Sequence, residues 1–276
     1  MEVHQARHIA TTALNDLAEA LERGQSEPFK RYLAAMSRFH TYSPRNIMLI
    51  RNQRAHTEQV ASYSTWKRLG RSIMRGERGI AILAPIPRRS LQSAQEAKTD
   101  ADEASAREQA DRDVAGFRTA YVFGVEQTIG APLPEPPRVG GDPGRFLERL
   151  KRFAADKHIA LEYSSAIAPA RGVSTCGKII LLPNMTPAEE YSTLGHELTH
   201  ELLHDRSARL NAGGKQLREL EAEAVAFVVC RGIGLESGAT SADYILHYNG
   251  DRIALSRSLA RIQRTASEIL TAISDI

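Results

Sequence analysis

The sequence predicts an α+β protein: a small N-terminal α/β domain, then a mostly helical C-terminal domain with a small sheet. Three observations predict it. Apolar residues recur at helical spacing through much of the chain. Short β-rich runs interrupt that pattern at 80–83 and 120–123, and again at 160–163 and 178–182. A Pro/Gly-rich stretch, PLPEPPRVGGDPG at 132–144, reads as a linker and sets the domains at 1–131 and 145–276.

The elements follow in order. Ile9, Leu14, Leu17 and Leu21 form the apolar stripe of a first helix that stops at Gly24, and a second runs from about 28 to 40. Ser43-Pro44-Arg45 opens a third with a cap and an early proline, ahead of Ile47, Met48, Leu49 and Ile50. A short helix over 64–69 is closed by Gly70. The runs IAIL (80–83) and AYVF (120–123) are expected to pair as strands. Between them, 91–114 is rich in Gln, Ala, Asp and Glu and poor in large apolar residues, so it is expected to be an exposed insertion. Beyond the linker come a helix at 145–157, the two further strands, a pair of helices carrying the chemistry described below, and helices near 241–248 and 251–274.

Composition narrows the class. The chain has 276 residues, 42% hydrophobic and 25% charged, ordinary proportions for a globular protein. No apolar run approaches the ~20 residues that span a bilayer, and the first residues lack a signal-peptide core. Two cysteines cannot build a disulfide framework: Cys230 is expected to be a buried thiol and Cys176 a loop thiol. A cytoplasmic location without membrane contact is expected. The formal charge of +3 hides an asymmetry, because residues 26–90 hold 13 Lys/Arg against three Glu, a net of +10. That is the electrostatic footprint of a nucleic-acid-binding segment. Aromatics there are few: Phe29, Tyr32, Phe39, Tyr42, Tyr63 and Trp66. Trp66 beside Lys67, Arg68 and Arg71 is the candidate cluster for stacking and phosphate contact. The competing explanation is that Trp66 anchors the domain core while the cations form a solvated face.

His196-Glu197-Leu198-Thr199-His200 carries the most specific chemistry. Thr186-Pro187-Ala188-Glu189-Glu190 upstream has the composition of a helix start, and Leu194, Leu198, Leu202 and Leu203 keep the helical period. Residues four apart share a helix face, so His196 and His200 can grip one zinc ion while Glu197 reaches a water as general base. A catalytic zinc site takes three protein ligands and leaves one position open. The third ligand is expected from Arg218–Phe227, a second helix on which Glu219 and Glu223 share a face. Glu219 is assigned as ligand and Glu223 as acceptor for the free ring N–H of His196. Glu221, which points away from both, stays open as the alternative ligand. His204 lies two turns, ~12 Å, from His196, too far to share its metal. Two imidazoles and one carboxylate leave zinc a net positive charge, so a bound water ionises near pH ~7. The reaction class is metal-assisted hydrolysis, a peptide bond being the leading target. Tyr244 is a candidate oxyanion partner against the alternative of simple packing.

The stretch GHELTHELLH (195–204), followed by ELEAE (219–223), resembles the ImmA/IrrE-type metallopeptidases, and still more the metallopeptidase half of the ArdC antirestriction proteins of mobile elements. SPRNIMLIRNQ (43–53), YSTWKRLGRSIMRGERGIAILAPI (63–86) and TAYVFGVEQTIGAPLP (119–134) are similar to the ArdC-like single-stranded-DNA-binding domain. Asn46, Trp66, the Leu69-Gly70-Arg71 turn, Gly76-Glu77 and Gln127-Thr128 are its ordered landmarks. Gly124 departs from it, since the family usually has an acidic residue after Val-Phe. The resemblance implies a zincin-like fold for the C-terminal domain, a zinc-like ion on His196, His200 and Glu219, and DNA contact by the N-terminal half. The leading expectation is a zinc metallopeptidase joined to a single-stranded-DNA-binding domain, acting in antirestriction or mobile-element regulation. The alternative is a non-catalytic DNA-binding accessory protein with a structural metal. A third expectation is an effector protease directed at a single repressor.

Overall fold

The computed structural model describes residues 1–87, 114–133, 141–203, 214–236 and 251–274. All but the last residue of the expected insertion, positions 134–140 of the expected linker, His204, Tyr244 and the expected helix at 241–248 lie outside the described residues. In chain order, the first part forms α1 (Val3–Glu22), α2 (Glu27–Arg38), α3 (Pro44–Gln53), β1 (Val60–Ala61), α4 (Tyr63–Arg68), β2 (Arg71–Ile73), β3 (Ile80–Pro87), β4 (Val114–Gly124) and β5 (Thr128–Gly130). Then follow α5 (Arg145–Asp156), β6 (Ala160–Tyr163), β7 (Gly172–Ser174), β8 (Lys178–Leu181), α6 (Pro187–Leu203), α7 (Lys215–Gly232) and α8 (Arg252–Ile273). None of the described helices is long and apolar enough to cross a membrane.

The chain folds into two units: Met1–Thr11 with Leu49–Gly130, and Thr12–Met48 with Ala131–Ile276. The first is organised by the antiparallel pairing of β3 with β4, Ile80 opposite Val122 and Leu83 opposite Thr119, with β1 on the other side of β4. β2 and β5 form a separate antiparallel pair. Ala6, Ala10, Leu49 and Leu83 make a buried cluster with Val3 and Ile9 packed against it. β3 is an edge strand, and the Gln53 side chain caps it by donating to the Ala81 carbonyl and accepting from the Ala81 N–H, both at 2.9 Å. A buried amide hub sits nearby. Gln127, fully buried, donates to the Glu77 carboxylate (2.7 Å) and the Arg78 carbonyl (2.9 Å) and accepts from the Gly124 N–H. Arg54 completes it with an ion pair to Glu77 at 2.9 Å.

In the second unit the sheet order is β6-β8-β7, with β6 parallel and β7 antiparallel to β8. α6 packs on β7 and β8 and against α7, and α7 in turn packs against α8 and α2. The Thr186–Glu189 start of α6 is a reciprocal capping box: the Thr186 hydroxyl accepts from the Glu189 N–H at 3.3 Å, and the Glu189 carboxylate accepts from the Thr186 N–H at 3.0 Å. The chain passes from the first unit to the second between Gly130 and Ala131, and residues 12–48 assemble with the C-terminal helices. The reason is α7 itself. Leu220, Ala222, Ala224, Val225, Ala226, Val228, Val229 and Cys230 are all buried, and a helix buried at so many positions needs partners on several sides. The apolar face of α2 (Phe29, Leu33, Met36) is one of them.

Glu221, kept open above as a metal ligand, faces α8 and not the histidines. It is 1% exposed and is held by the Arg261 guanidinium, with Nε 2.9 and 3.1 Å from its two oxygens. Removing one partner of such a pair strands a buried charge. Arg261→Ala is expected to destabilise the protein by about 3–5 kcal/mol, read as a lowered urea midpoint.

Candidate metal centre

The helix period puts His196 and His200 on one side of α6, and packing brings that side against α7. Gly195 faces α7 at this contact, where a Cβ built on it would lie 3.9 Å from the Ala226 Cα, an ordinary van der Waals separation. Across this contact the Glu219 Oε2 is 3.4 Å from the Nε2 of His196 and 3.4 Å from the Nε2 of His200. The two Nε2 atoms are 3.1 Å apart. Glu223, one turn further along α7, has its Oε2 3.4 Å from the other ring nitrogen of His196, Nδ1. The structure therefore brings His196, His200, Glu219 and Glu223 together and sends Glu221 elsewhere.

This triangle fits a metal ion. A tetrahedral site with ~2.0–2.1 Å bonds has ligand–ligand edges of about 3.3–3.4 Å, close to the observed 3.1, 3.4 and 3.4 Å. Among the described residues, His196, His200 and Glu219 are the group of His, Cys, Asp and Glu side chains placed to hold such an ion. The surrounding carboxylates favour a positive charge at this place, whether proton or cation. Burial acts to lower the His196 pKa, but bonds to Glu219 and Glu223 and the charges of Glu197 and Glu223 outweigh it and raise the value to about 9. Glu219 is held well below the ordinary carboxylate range by its bonds to His196 and His200.

Glu197 is set apart from the triangle. It is 7% exposed, and burial raises its pKa against the opposing pull of the two histidines. Its carboxylate accepts the backbone N–H of Ser174 on β7. A Cβ at Gly172 would come within 2.7 Å of the Glu197 Cγ and Oε1, so β7 approaches the metal helix this closely only with glycine there. One turn on, Glu201 accepts from the Ser174 hydroxyl and, at 2.6 Å, from the Gly177 N–H. Sequence reasoning missed Gly172, Ser174 and Glu201. Only Glu201 left a trace, as an acid four residues after Glu197.

The nucleic-acid cluster divides. Trp66 is 2% exposed and its Nε1 donates to the Phe123 carbonyl at 2.8 Å, so the indole is a core anchor closed to base stacking. Arg71 is bonded across the β2–β5 pair, to the Thr128 Oγ1 at 2.7 Å and the Thr128 carbonyl at 3.1 Å. Lys67 and Arg68 are exposed. Phe29, Tyr32 and Phe39 are buried and Tyr42 half-buried, leaving Tyr63, 61% exposed, as the open aromatic of the basic segment. Cys230 is buried and Cys176 exposed, as expected.

Comparison with known proteins bears on both units. Residues 7–123 match the N-terminal domain of anti-restriction factor ArdC. The fold is that of the antirestriction ArdC protein from the R388 plasmid in its metal-free crystal structure, at 17% identity, with 96% of this chain and 97% of that chain covered and a TM-score of 0.51. The Mn(II)-bound structure of that ArdC protein aligns with a TM-score of 0.45, again at 17% identity, over 89% of this chain and 98% of that one. An uncharacterized protein of Bacillus anthracis is 25% identical over 277 residues, covering 86% of this chain. The chain spans 46% of the length of that relative. Gly124, where the resemblance implied an acidic residue, lies against the Glu126 carboxylate. A Cβ there would lie 2.5 Å from both the Glu126 Oε2 and the Thr57 Oγ1, so the Glu126 carboxylate fills the space a side chain at 124 would need. It accepts from Thr57 at 2.8 Å.

The raised His196 pKa has a stability consequence. A histidine whose folded pKa exceeds its unfolded value of ~6.5 stabilises the fold fully below that pH and loses the contribution as pH rises through the folded value, about 9. Thermal unfolding of chelator-treated protein should show a lower Tm at pH 9.5 than at pH 6.5, and His196→Asn should flatten the difference.

Proposed function

We propose that the chain is a DNA-binding protein of the antirestriction kind whose second unit holds one divalent metal ion, zinc, on His196, His200 and Glu219. The match of residues 7–123 to the ArdC N-terminal domain carries the first half of this reading. The excess of cations over residues 49–90 in the first unit, nine Lys/Arg against two Glu, supports it, since single strands are bound through phosphates by clustered cations. The donor triangle supports the second half, its nitrogen-rich set and short edges suiting zinc.

Tyr63 and Lys67 lie one turn apart on α4 and share a face, with Arg68 beside them. In this reading they replace Trp66 and Arg71 as the stacking and phosphate contacts, joined by exposed Arg75 and Arg78. If these four cations engage a single strand, the dissociation constant for labelled single-stranded DNA should rise about 50-fold between 50 and 200 mM salt, following a slope of about −0.7 per phosphate. Tyr63→Ala should weaken binding by about 1–3 kcal/mol in the same anisotropy assay. Binding indifferent to both salt and Tyr63 would count against the assignment.

A second reading, metal-assisted hydrolysis, is favoured by one observation: Glu197 sits next to the ligands, buried, outside the donor triangle and with a raised pKa. A divalent ion bound there would supply Lewis acidity toward water and a carbonyl. His196, His200 and Glu219 would hold it, Glu223 would fix the His196 ring through Nδ1, and Glu197 would take a proton from the attacking water and return it to a leaving amine. Glu197→Gln separates the two readings. It should retain one zinc per chain by elemental analysis, whereas His196→Ala should lose it. Loss of protection of incoming plasmid DNA from restriction in Glu197→Gln would support hydrolysis; unchanged protection would leave the metal a structural role.

A further inference from the structure

The β7–β8 hairpin is fastened to α6 by two carboxylates one turn apart, and both bonds meet at one residue. The Ser174 N–H goes to Glu197, and the Ser174 hydroxyl goes to Glu201. The second Glu201 oxygen accepts from the Gly177 N–H at 2.6 Å, on the hairpin turn. That turn is a two-residue connection with positive φ at Cys176 (45°) and Gly177 (86°), closed by the Thr175 N–H donating to the Lys178 carbonyl at 2.8 Å. Glu201 thus grips the hairpin at its tip and at the end of β7. Ser174 can reach Glu197 only while β7 lies against α6, where Gly172 leaves no room for a side chain.

We infer that Glu201 is a positioning residue: it clamps the hairpin to the metal helix so that the Ser174 N–H holds the Glu197 carboxylate in its buried orientation. The role of Glu197 as a proton carrier rests on the hydrolytic reading above; the clamp itself does not require turnover. β7 is an edge strand of three residues, and its ladder to β8 alone fixes few backbone groups against α6. The two Glu201 bonds supply the missing attachment. A glutamine at 201 can preserve it, its carbonyl accepting from Gly177 and its amide donating to the Ser174 Oγ, whereas alanine cannot.

Residue-resolved amide exchange on the full zinc-loaded chain tests the clamp. In Glu201→Ala, exchange at both Ser174 and Gly177 should accelerate at least tenfold. In Glu201→Gln both should return to near the unmutated rates. In Glu197→Ala only Ser174 should accelerate, because Gly177 is held by Glu201. Zinc should remain at one per chain in all three. Ser174→Ala, which deletes only the hydroxyl, should accelerate residue 174 without unfolding the protein and serves if Glu201→Ala does not fold. The inference is overturned if loss of Glu201 frees Gly177 while Ser174 stays slow, since the two carboxylates then act independently. Loss of zinc in Glu201→Gln would also overturn it, by showing that Glu201 supports the ligands directly. Neither outcome depends on whether Glu197→Gln abolishes function, so failure of the clamp and failure of the hydrolytic reading are separable.

Discussion

The close crossing of α6 and α7 is the constraint on which the second unit depends. Each helix alone carries ordinary charged residues; their juxtaposition converts two imidazoles and two carboxylates into a connected group. Glu219 meets both inward-facing nitrogens of the histidine pair, and Glu223 meets the outward nitrogen of His196. Bringing these groups together costs desolvation, which their mutual pairing outweighs at His196 and Glu219. The other sides of α7 add apolar packing: Leu220, Val225, Val228 and Val229 are buried, and the helix packs against α2, α6 and α8. Apolar packing and the ionic contacts therefore act together in holding α6 against α7.

In the first unit the same residue types serve a different end. Trp66, Gln127 and Thr128, on which the resemblance partly rested, are buried. Gln127 and Glu77 form the hub that ties β4 to the turn before β3, Trp66 is bonded to the Phe123 carbonyl, and Arg71 stitches β2 to β5. Arg54 is drawn into the hub through Glu77. The net charge of residues 26–90 therefore overstates the cations a polyanion meets, because some of those guanidiniums are occupied in folding. In the first unit what faces solvent includes Lys67, Arg68, Arg75 and Arg78, around α4 and the turn after β2; exposed Arg31, Arg38 and Arg45 belong to the second unit.

How much of this was legible in the sequence follows from the range over which each determinant acts. Helical period and a capping box are local, so α6 and its two histidines could be read from the residues between Thr186 and Leu203. The i, i+4 rule also separated Glu219 and Glu223 from Glu221, although it could not name Arg261, which lies 40 residues away. The pairing of β3 with β4 was legible because IAIL and AYVF are both apolar runs rich in β-formers, although each is only the middle of a longer strand. β7 was not: Gly172-Val173-Ser174 is three residues without a pattern, and it is a strand only because β8 and α6 provide a place for it. Trp66 shows the same limit. A tryptophan flanked by cations reads equally well as a platform or as an anchor, and only the distant Phe123 carbonyl decides. The placement of residues 12–48 with the second unit was invisible for a related reason, since nothing within α2 states that its apolar face belongs to α7.

The ELEAE segment shows why a metal-bearing helix needs support from outside the site. Residues two apart on a helix are about 200° apart around its axis, so a helix presenting Glu219 and Glu223 to one neighbour must send Glu221 nearly the opposite way. If that opposite side were apolar, Glu221 would be an unpaired buried charge and α7 would rotate to expose it, withdrawing Glu219 from the histidines. Arg261 on α8 removes the incentive to rotate: it pairs with Glu221 through both carboxylate oxygens and leaves it 1% exposed. The rotational setting of α7 is thus pinned from two sides, by the histidines on one face and by a guanidinium on the other. α8, which contributes no residue to the donor triangle, is for that reason part of what defines it.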